Sequence, residues 1–191
     1  LLTKTANVGY LEDLATDNVL LTFSLNPEAI ADLWEGKFDD GARVTPPVQE
    51  RLDASLRGEK MGFEVRWRVD PVFPVPGWKG IYRRFFYAAA KQGHRPTRIT
   101  LGTYREMQPT LRTFAKKWGL PPLEVEIPEL EKDGDHYHLA PEQRVRIYTA
   151  LRKAVDESWE GTGHQPIVAL CKEPRWLRSK VGLHHEHCNC E

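Results

Sequence analysis

The run Val19-Leu20-Leu21-Thr22-Phe23-Ser24-Leu25-Asn26-Pro27-Glu28 decides the fold class of this chain. Its first seven residues form a short, mostly apolar run, which is typical of a buried strand. Asn26 and Pro27 then have the chemistry of a helix start, with Asn26 as the capping residue and Pro27 at the first helical position. A strand that leads directly into a helix is the building unit of a parallel α/β sheet.

The same alternation of strand and helix continues along the chain. Residues 63–69 alternate strictly between apolar and charged side chains, so this strand has one apolar and one polar face. We predict further strands at 98–104 and 167–171, helices at 46–58, 78–91, 111–118 and 141–159, and an irregular acidic stretch at 123–134. The order β-α-β-α-β-α-β-α-β indicates an α/β fold, either a (β/α) barrel or a doubly wound sheet.

The composition is that of a globular chain with balanced charge. Its 191 residues include 27 Lys+Arg and 27 Asp+Glu, and the pI is about 7.2. This balance excludes a generally basic coat but not a local basic groove. No apolar run approaches the roughly 18 residues of a membrane span, and the first residues lack a signal-peptide pattern. Three cysteines make a poor disulfide framework and favour a reducing cytoplasm.

In both α/β architectures, functional residues lie at the carboxyl ends of the strands. Here that rule selects Lys4, Ser24, Asn26, Asp70 and the run Thr103-Tyr104-Arg105. Each also has an ordinary explanation: a solvated loop lysine, two helix-capping side chains, a turn aspartate and a solvent-facing strand end. The functional interpretation is a pocket that holds a carboxylate or phosphate, a ribose hydroxyl and a base.

Several of these stretches together resemble the C-terminal half of the spore photoproduct lyase family, whose members are radical S-adenosylmethionine proteins. The resemblance covers almost the entire chain and is strongest from Leu2 to Trp78. Its motifs are moderately specific as a set and weak singly. They are Thr3-Lys4-Thr5, Phe23-Ser24-Leu25-Asn26, Val69-Asp70-Pro71 with Gly77-Trp78, and Cys171-Lys172-Glu173 with Cys188-Asn189-Cys190.

The resemblance implies a partial (β/α)6 barrel of the TIM-like kind. In this family a [4Fe-4S] cluster reductively cleaves S-adenosylmethionine, and the radical takes hydrogen from a substrate, which for the lyase proper is a thymine dimer in DNA. Position by position, Lys4 matches a lysine that pairs with the cofactor's carboxylate, Ser24 lies beside it, and Asn26 is a pocket residue. Asp70 falls where the backbone passes the adenosyl group, and Tyr137 matches a tyrosine of the radical relay.

The cysteines of this chain depart from the family pattern. Family members hold the cluster through three cysteines in the spacing C-x3-C-x2-C, which Cys171, Cys188 and Cys190 cannot form. That motif belongs at the end of the first barrel strand, so we expect this chain to be a fragment with the N-terminal half of the barrel as its partner. Residues 1–171 then form the C-terminal half of the barrel and residues 172–191 a polar tail. Alone, the chain should not assemble the cluster.

Two further interpretations stay open. Residues 182–190 contain three histidines and two cysteines, which is enough ligand chemistry for a metal-binding module, although C-x-C is closer than the usual zinc spacing. An ordinary phosphate-binding (β/α) barrel is the other, although no Gly-rich phosphate loop is present. Either a solvated face or a nucleic-acid contact would explain the basic residues around Trp176, namely Lys172, Arg175, Arg178 and Lys180.

Overall fold

The computed structural model describes residues 1–36, 43–107, 130–133 and 136–184. The strands are β1 (Leu2–Thr3), β2 (Leu20–Ser24), β3 (Glu64–Val72), β4 (Arg98–Thr103), β5 (Arg105–Met107), β6 (Glu131–Asp133), β7 (His136–His138) and β8 (Ile167–Leu170). The helices are α1 (Glu28–Trp34), α2 (Val48–Lys60), α3 (Trp78–Lys91), α4 (Pro141–Trp159) and α5 (Arg175–Lys180), with a 3-10 turn at Gly9–Leu11. The helix predicted at 111–118 lies outside the described residues.

Five parallel strands form the main sheet, in the order β1-β2-β3-β4-β8. Each new strand joins the sheet on the same side as the strand before it, so the order never reverses. A doubly wound sheet reverses its strand order at a switch point, whereas a barrel does not. The predicted α/β class is therefore confirmed, and the strand order favours the barrel over the doubly wound sheet.

The two faces of the main sheet differ in chemistry. Alternate residues of β3, among them Val65, Trp67 and Val69, are buried on the face that packs against the helices. Trp67 Nε1 donates a hydrogen bond to Ser55 Oγ of α2 at 2.7 Å, which anchors this face to the helical layer. The intervening residues of β3 share the opposite face with polar side chains of its neighbours, because directly paired residues point the same way. We call this second surface the polar face; it includes Thr22 and Ser24 of β2, Arg66 and Arg68 of β3 and Thr100 of β4.

A second, antiparallel sheet follows β4 directly, in the order β5-β7-β6. Its strand β6 falls inside the stretch 123–134, so the prediction that this whole stretch is irregular is wrong at residues 131–133. Three residues are too few to show the two-residue periodicity that identifies a strand in a sequence.

The helix start at Asn26 and Pro27 also differs from the prediction. Helix α1 begins at Glu28, its capping position is Pro27, and no side chain of the described ranges caps it. Asn26 is instead buried, and its Oδ1 accepts a hydrogen bond from the Tyr82 hydroxyl at 3.3 Å. The Asn26 side chain therefore binds Tyr82, 56 positions away in the sequence, instead of capping the adjacent helix.

The packed fold continues past residue 171. Helix α5 buries Leu177 completely, and Val181 and Leu183 after it are also buried. Glu173 is buried as well and pairs with Arg144 of α4. Residues 172–184 of the predicted tail therefore pack against the domain, while 185–191 lie outside the described residues. In the described ranges, no helix has the length and apolar character to cross a membrane.

This packing predicts different outcomes for two neighbouring residues of α5. Leu177→Ala should lower the free energy of unfolding by about 2–5 kcal/mol, because Leu177 is fully buried. Trp176→Ala is the matched control, since Trp176 is 45% exposed and its loss should change stability by only about 0.5 kcal/mol. Urea unfolding measures both, and equal small effects would show that α5 does not belong to the core.

Candidate functional site

A cavity of about 420 Å³ opens at the carboxyl ends of the main strands. This size lies within the range of roughly 300–1,000 Å³ that is usual for small-ligand sites. We call it the strand-end cavity. Its lining includes Leu2, Ser24, Trp34, Arg68, Asp70, Pro71, Tyr104 and Arg105. Ser24, Asp70, Tyr104 and Arg105, which the strand-end rule selected from the sequence, thus line one cavity.

One side of the strand-end cavity is aromatic. The rings of Trp34 and Tyr104 meet edge to face at 5.6 Å, and both contact the buried ring of Phe73, at 5.0 and 5.1 Å. Tyr104 is held further by its hydroxyl, which donates to Glu106 Oε1 at 2.6 Å. Such a fixed aromatic wall provides a surface on which a nucleobase can stack.

The other side of the cavity is charged. Asp70 Oδ2 accepts hydrogen bonds from Arg68, at 2.8 Å from Nη2 and 3.2 Å from Nε, and from Arg105 Nη2 at 3.1 Å. We call these three side chains the arginine–aspartate cluster. Two guanidinium groups share one carboxylate, so the cluster keeps a net positive charge and favours an anionic ligand.

Two features hold the arginine–aspartate cluster in place. Gly102 of β4 lies under Asp70, and a Cβ atom at this glycine would be only 2.6 Å from Asp70 Cγ. The buried Sγ of Cys171 accepts from Arg68 and Arg105, at 3.4 Å from each. Burial acts to lower the pKa of Arg105, but the neighbouring Asp70 carboxylate outweighs it and raises that pKa above its usual value. Arg105 therefore stays a cation.

A buried network fixes the end of β4 from behind. Tyr148 of α4 accepts a hydrogen bond from the backbone N–H of Thr103 at 2.8 Å and donates to Glu173 Oε1 at 2.6 Å. Glu173 Oε2 accepts from Arg144 at 2.7 Å. Burial raises the pKa of Glu173, and burial together with the Glu173 charge raises that of Tyr148 well above its usual range. This network fixes β4 at its last residue, Thr103, two positions before Arg105.

Lys4 is part of a separate ion cluster near β1 and β2. Its Nζ lies 2.6 Å from Glu35 Oε1, and Glu35 also accepts from buried Arg51 at 2.9 and 2.6 Å and from Thr45 at 2.5 Å. Burial alone would raise the pKa of Glu35, but hydrogen bonds from Arg51, Lys4 and Thr45 lower it overall. Arg51 also donates to the backbone carbonyl of Ser24 at 3.1 Å, which connects this cluster to the cavity wall.

Asn26 and Tyr137 lie away from the described lining of the cavity. Asn26 is 1% exposed, and its Nδ2 finds no hydrogen-bond partner among the residues that the structure describes. Tyr137 of β7 is half-buried and pairs across the small sheet with Glu106, so the two side chains share a face. Glu106 accepts a hydrogen bond from the cavity residue Tyr104, so Glu106 lies between Tyr137 and the cavity.

The sequence analysis did not select three residues that the structure places in or beside the strand-end cavity. Arg68 could have been found, because the alternation in 63–69 places it on the polar face and next to the strand end. Trp34 gives no such signal, since an aromatic residue at the end of an amphipathic helix usually belongs to the core. The role of Glu35 depends on Arg51, 16 positions away, and is also invisible locally.

The donor chemistry suits S-adenosylmethionine but not an iron–sulphur cluster. Aromatic faces, a serine, two arginines and a carboxylate around one cavity match a nucleoside that also carries an amino-acid group. A cluster needs several cysteine thiolates, and the only cysteine within the described ranges is Cys171. No group of three potential metal ligands occurs among the described residues. The sequence positions of Cys188 and Cys190 lie outside those ranges.

The fold and the strand-end cavity define a class of protein: a parallel α/β half-barrel with a polar cavity at its strand ends. Among solved structures, the chain is similar to spore photoproduct lyase complexed with a dinucleoside spore photoproduct. The TM-score is 0.68 at 18% identity, covering 88% of this chain and 49% of that chain. The chain is also similar to a double mutant of the lyase with bound AdoMet and dinucleoside spore photoproduct. Here the TM-score is 0.67 at 17% identity, with the same coverage of both chains.

The chain thus spans about half the length of these lyase structures. At this identity the likeness establishes the fold, and it confirms the barrel that the sequence resemblance implied. No protein-family model matches the sequence, and no curated protein matches it either.

The contact between Gly102 and Asp70 predicts a specific sensitivity. Gly102→Ala should lower the free energy of unfolding by about 1–3 kcal/mol, because the new methyl group displaces a carboxylate that two arginines hold. At Gly9 the nearest atom to a Cβ is 3.9 Å away, so Gly9→Ala is the matched control with an expected effect within about 0.5 kcal/mol. Chemical denaturation would contradict the packing if the two variants were equally stable.

The ion cluster of Glu35 predicts a dependence of stability on pH. The folded-state pKa of Glu35 is lowered, so its contribution is present above its ordinary value of 4.5 and is lost as the pH falls through the folded-state pKa. Glu35→Gln should therefore be less stable than the wild type at neutral pH by about 3 kcal/mol. In urea unfolding curves below pH 4.5 this difference should shrink. A difference that is constant with pH would rule out the charged pairing.

Proposed function

We propose that this chain belongs to the spore photoproduct lyase family and forms the C-terminal half of a radical S-adenosylmethionine barrel. The observation that carries the proposal is the strand-end cavity, which joins an aromatic wall to the arginine–aspartate cluster at the carboxyl ends of parallel strands. Support comes from the similar lyase structures, one with AdoMet and several with a dinucleoside photoproduct. In the proposal the protein works in the reducing cytoplasm.

In this proposal, Ser24 and Lys4 border the amino-acid end of the cofactor. The ammonium group of Lys4 has three donors, and its bond to Glu35 uses one, so it can also bind a ligand carboxylate. Its side chain is 36% exposed, which leaves it accessible. Asp70 lies near the adenosyl group, and Asn26 supports the pocket from behind. Bound S-adenosylmethionine supplies the hydrogen-abstraction chemistry, and this chain's residues hold and orient it.

In this proposal the iron–sulphur ligands lie outside the 191 residues of this sequence. We propose that the N-terminal half of the barrel provides three thiolates in the spacing C-x3-C-x2-C. The N-terminal half would also complete the ring of strands around the polar face. This chain alone would bind ligands at its strand ends but would not carry out turnover.

The substrate of the proposed enzyme is a modified nucleic acid, as in the lyase. Arg68 and Arg105 supply positive charge for a phosphate or another anionic group, and Trp34 and Tyr104 supply surfaces for base stacking. We propose Tyr137 as the catalytic residue of this chain, connected to the cavity through Glu106 and Tyr104.

An NMR titration of the isolated chain with S-adenosylmethionine tests the proposal. Backbone amide shifts should move at Ser24 and Trp34, because both residues line the strand-end cavity, and at Lys4, because the proposal places it beside the amino-acid end of the cofactor. Lys4→Ala should weaken binding about tenfold, the effect of losing one hydrogen bond to a charged group. Lys60→Ala is the control, because Lys60 is exposed on α2 at the opposite end of the strands.

Three outcomes would contradict the proposal. The first is the absence of shifts around the cavity at millimolar ligand, and the second is equal affinity for Lys4→Ala and the wild type. The third is competition by inorganic phosphate alone, which would favour an ordinary phosphate-binding barrel.

A further inference from the structure

The charges of this chain are distributed unevenly along the sequence. Residues 71–105 contain no Asp or Glu, although the whole chain has equal numbers of acidic and basic residues. The same segment contains seven basic residues: Lys79, Arg83, Arg84, Lys91, Arg95, Arg98 and Arg105. Most of these basic residues lie on helix α3 and the turn after it.

Helix α3 arranges its charges along its outer surface. Positions 79, 83, 87 and 91 are four apart, so they advance by only about 40° per step around the helix. The exposed residues of this surface form what we call the α3 stripe: Lys79, Arg83, Arg84, Tyr87 and Lys91. The Tyr87 ring is 54% exposed, and Lys91 Nζ lies 5.4 Å from its centroid.

In the part of the chain that the structure describes, no carboxylate forms an ion pair with a cation of the α3 stripe. A groove of about 360 Å³ runs beside it, between α3 and α4, and is lined by Arg83, Arg84, Tyr87, Glu157 and Ser158. The acidic residue of this groove, Glu157, pairs with Lys153 of its own helix at 3.6 Å. The groove therefore combines unneutralised cations with an exposed aromatic ring.

We propose that the α3 stripe binds single-stranded nucleic acid through its sugar–phosphate backbone and one stacked base. Cations that track phosphates and an aromatic ring that stacks on a base are the two components of such sites. The 12 steps from Lys79 to Lys91 rise about 18 Å, the length of about five nucleotides at 3.4 Å each. This fits the roughly 4–16 nucleotides that single-strand sites cover.

An anionic membrane is a less suitable partner for this surface. A helix that lies on a membrane inserts an exposed apolar face. The apolar side chains of α3, such as Tyr82, Phe86 and Ala89, are instead buried, and Tyr87 is the exposed large hydrophobic residue of this helix. The α3 stripe can attract lipid headgroups but has no apolar wedge to insert.

The α3 stripe is separate from the strand-end cavity. The cavity opens at the ends of the strands and includes the polar face, whereas α3 belongs to the helical layer on the opposite face. The N-terminus of α3 follows the carboxyl end of β3, so a strand bound along the stripe would lead toward the rim of the cavity. The inference itself does not depend on the chemistry proposed for the cavity.

Fluorescence anisotropy with a labelled oligothymidylate of about 16 nucleotides tests this inference. The variant Arg83→Ala, Arg84→Ala, Lys91→Ala should bind about tenfold more weakly than the wild type. The slope of log K against log salt concentration should be smaller in magnitude by about 2 for this variant. Each lost phosphate contact on a single strand lowers the magnitude of that slope by about 0.7. Tyr87→Ala should also weaken binding but keep the wild-type salt slope, since a stacked ring releases no counterions.

The matched control is Lys172→Ala, Arg175→Ala, Lys180→Ala, which removes the same charge from the basic surface around Trp176. This control should bind almost as well as the wild type. Equal weakening by both triple variants would overturn the inference, as would an unchanged slope for the α3 variant or no binding by the wild type at low salt. Binding of phosphatidylserine vesicles in place of the oligonucleotide would also overturn it.

Discussion

One carboxylate between two guanidinium groups organises the charged side of the strand-end cavity. Asp70 forms ion pairs with both Arg68 of β3 and Arg105 of β5. Its carboxylate packs directly on Gly102, and any side chain at position 102 would collide with it. Without Asp70, two adjacent cations would repel each other on the polar face of the sheet. With it, they form a compact, positively charged wall beside the aromatic rings of Trp34 and Tyr104.

The rest of the structure supports this point from two directions. Glu173 and Tyr148 fix the end of β4, and so set where Arg105 begins. Glu35 and Arg51 hold the end of β2 through the Ser24 carbonyl. Both supports use buried carboxylates that are satisfied by several donors, so the strand ends are rigid before any ligand binds. A preorganised site loses little conformational entropy on binding.

The sequence was sufficient for features that depend on local pattern. The alternation in 63–69 located β3 and its polar face, and the strand-end rule brought Ser24, Asp70 and Arg105 to one cavity. It was insufficient where a distant partner decides. Asn26 has the chemistry of a helix cap, but Tyr82 binds its side chain. Lys4 follows a strand as expected, yet its Glu35 partner comes from the end of α1. The burial of Leu177 depends on the surface offered by the rest of the domain.

The central claim is that the converging strand ends form one ligand-binding wall. Photoaffinity labelling of the chain with an azido-adenosyl analogue of S-adenosylmethionine, mapped by peptide mass spectrometry, tests it most directly. The account predicts labelling confined to peptides that contain Trp34, Asp70 or Tyr104, and its suppression by excess S-adenosylmethionine. Labelling spread over the outer helices, or unaffected by the competitor, would contradict it.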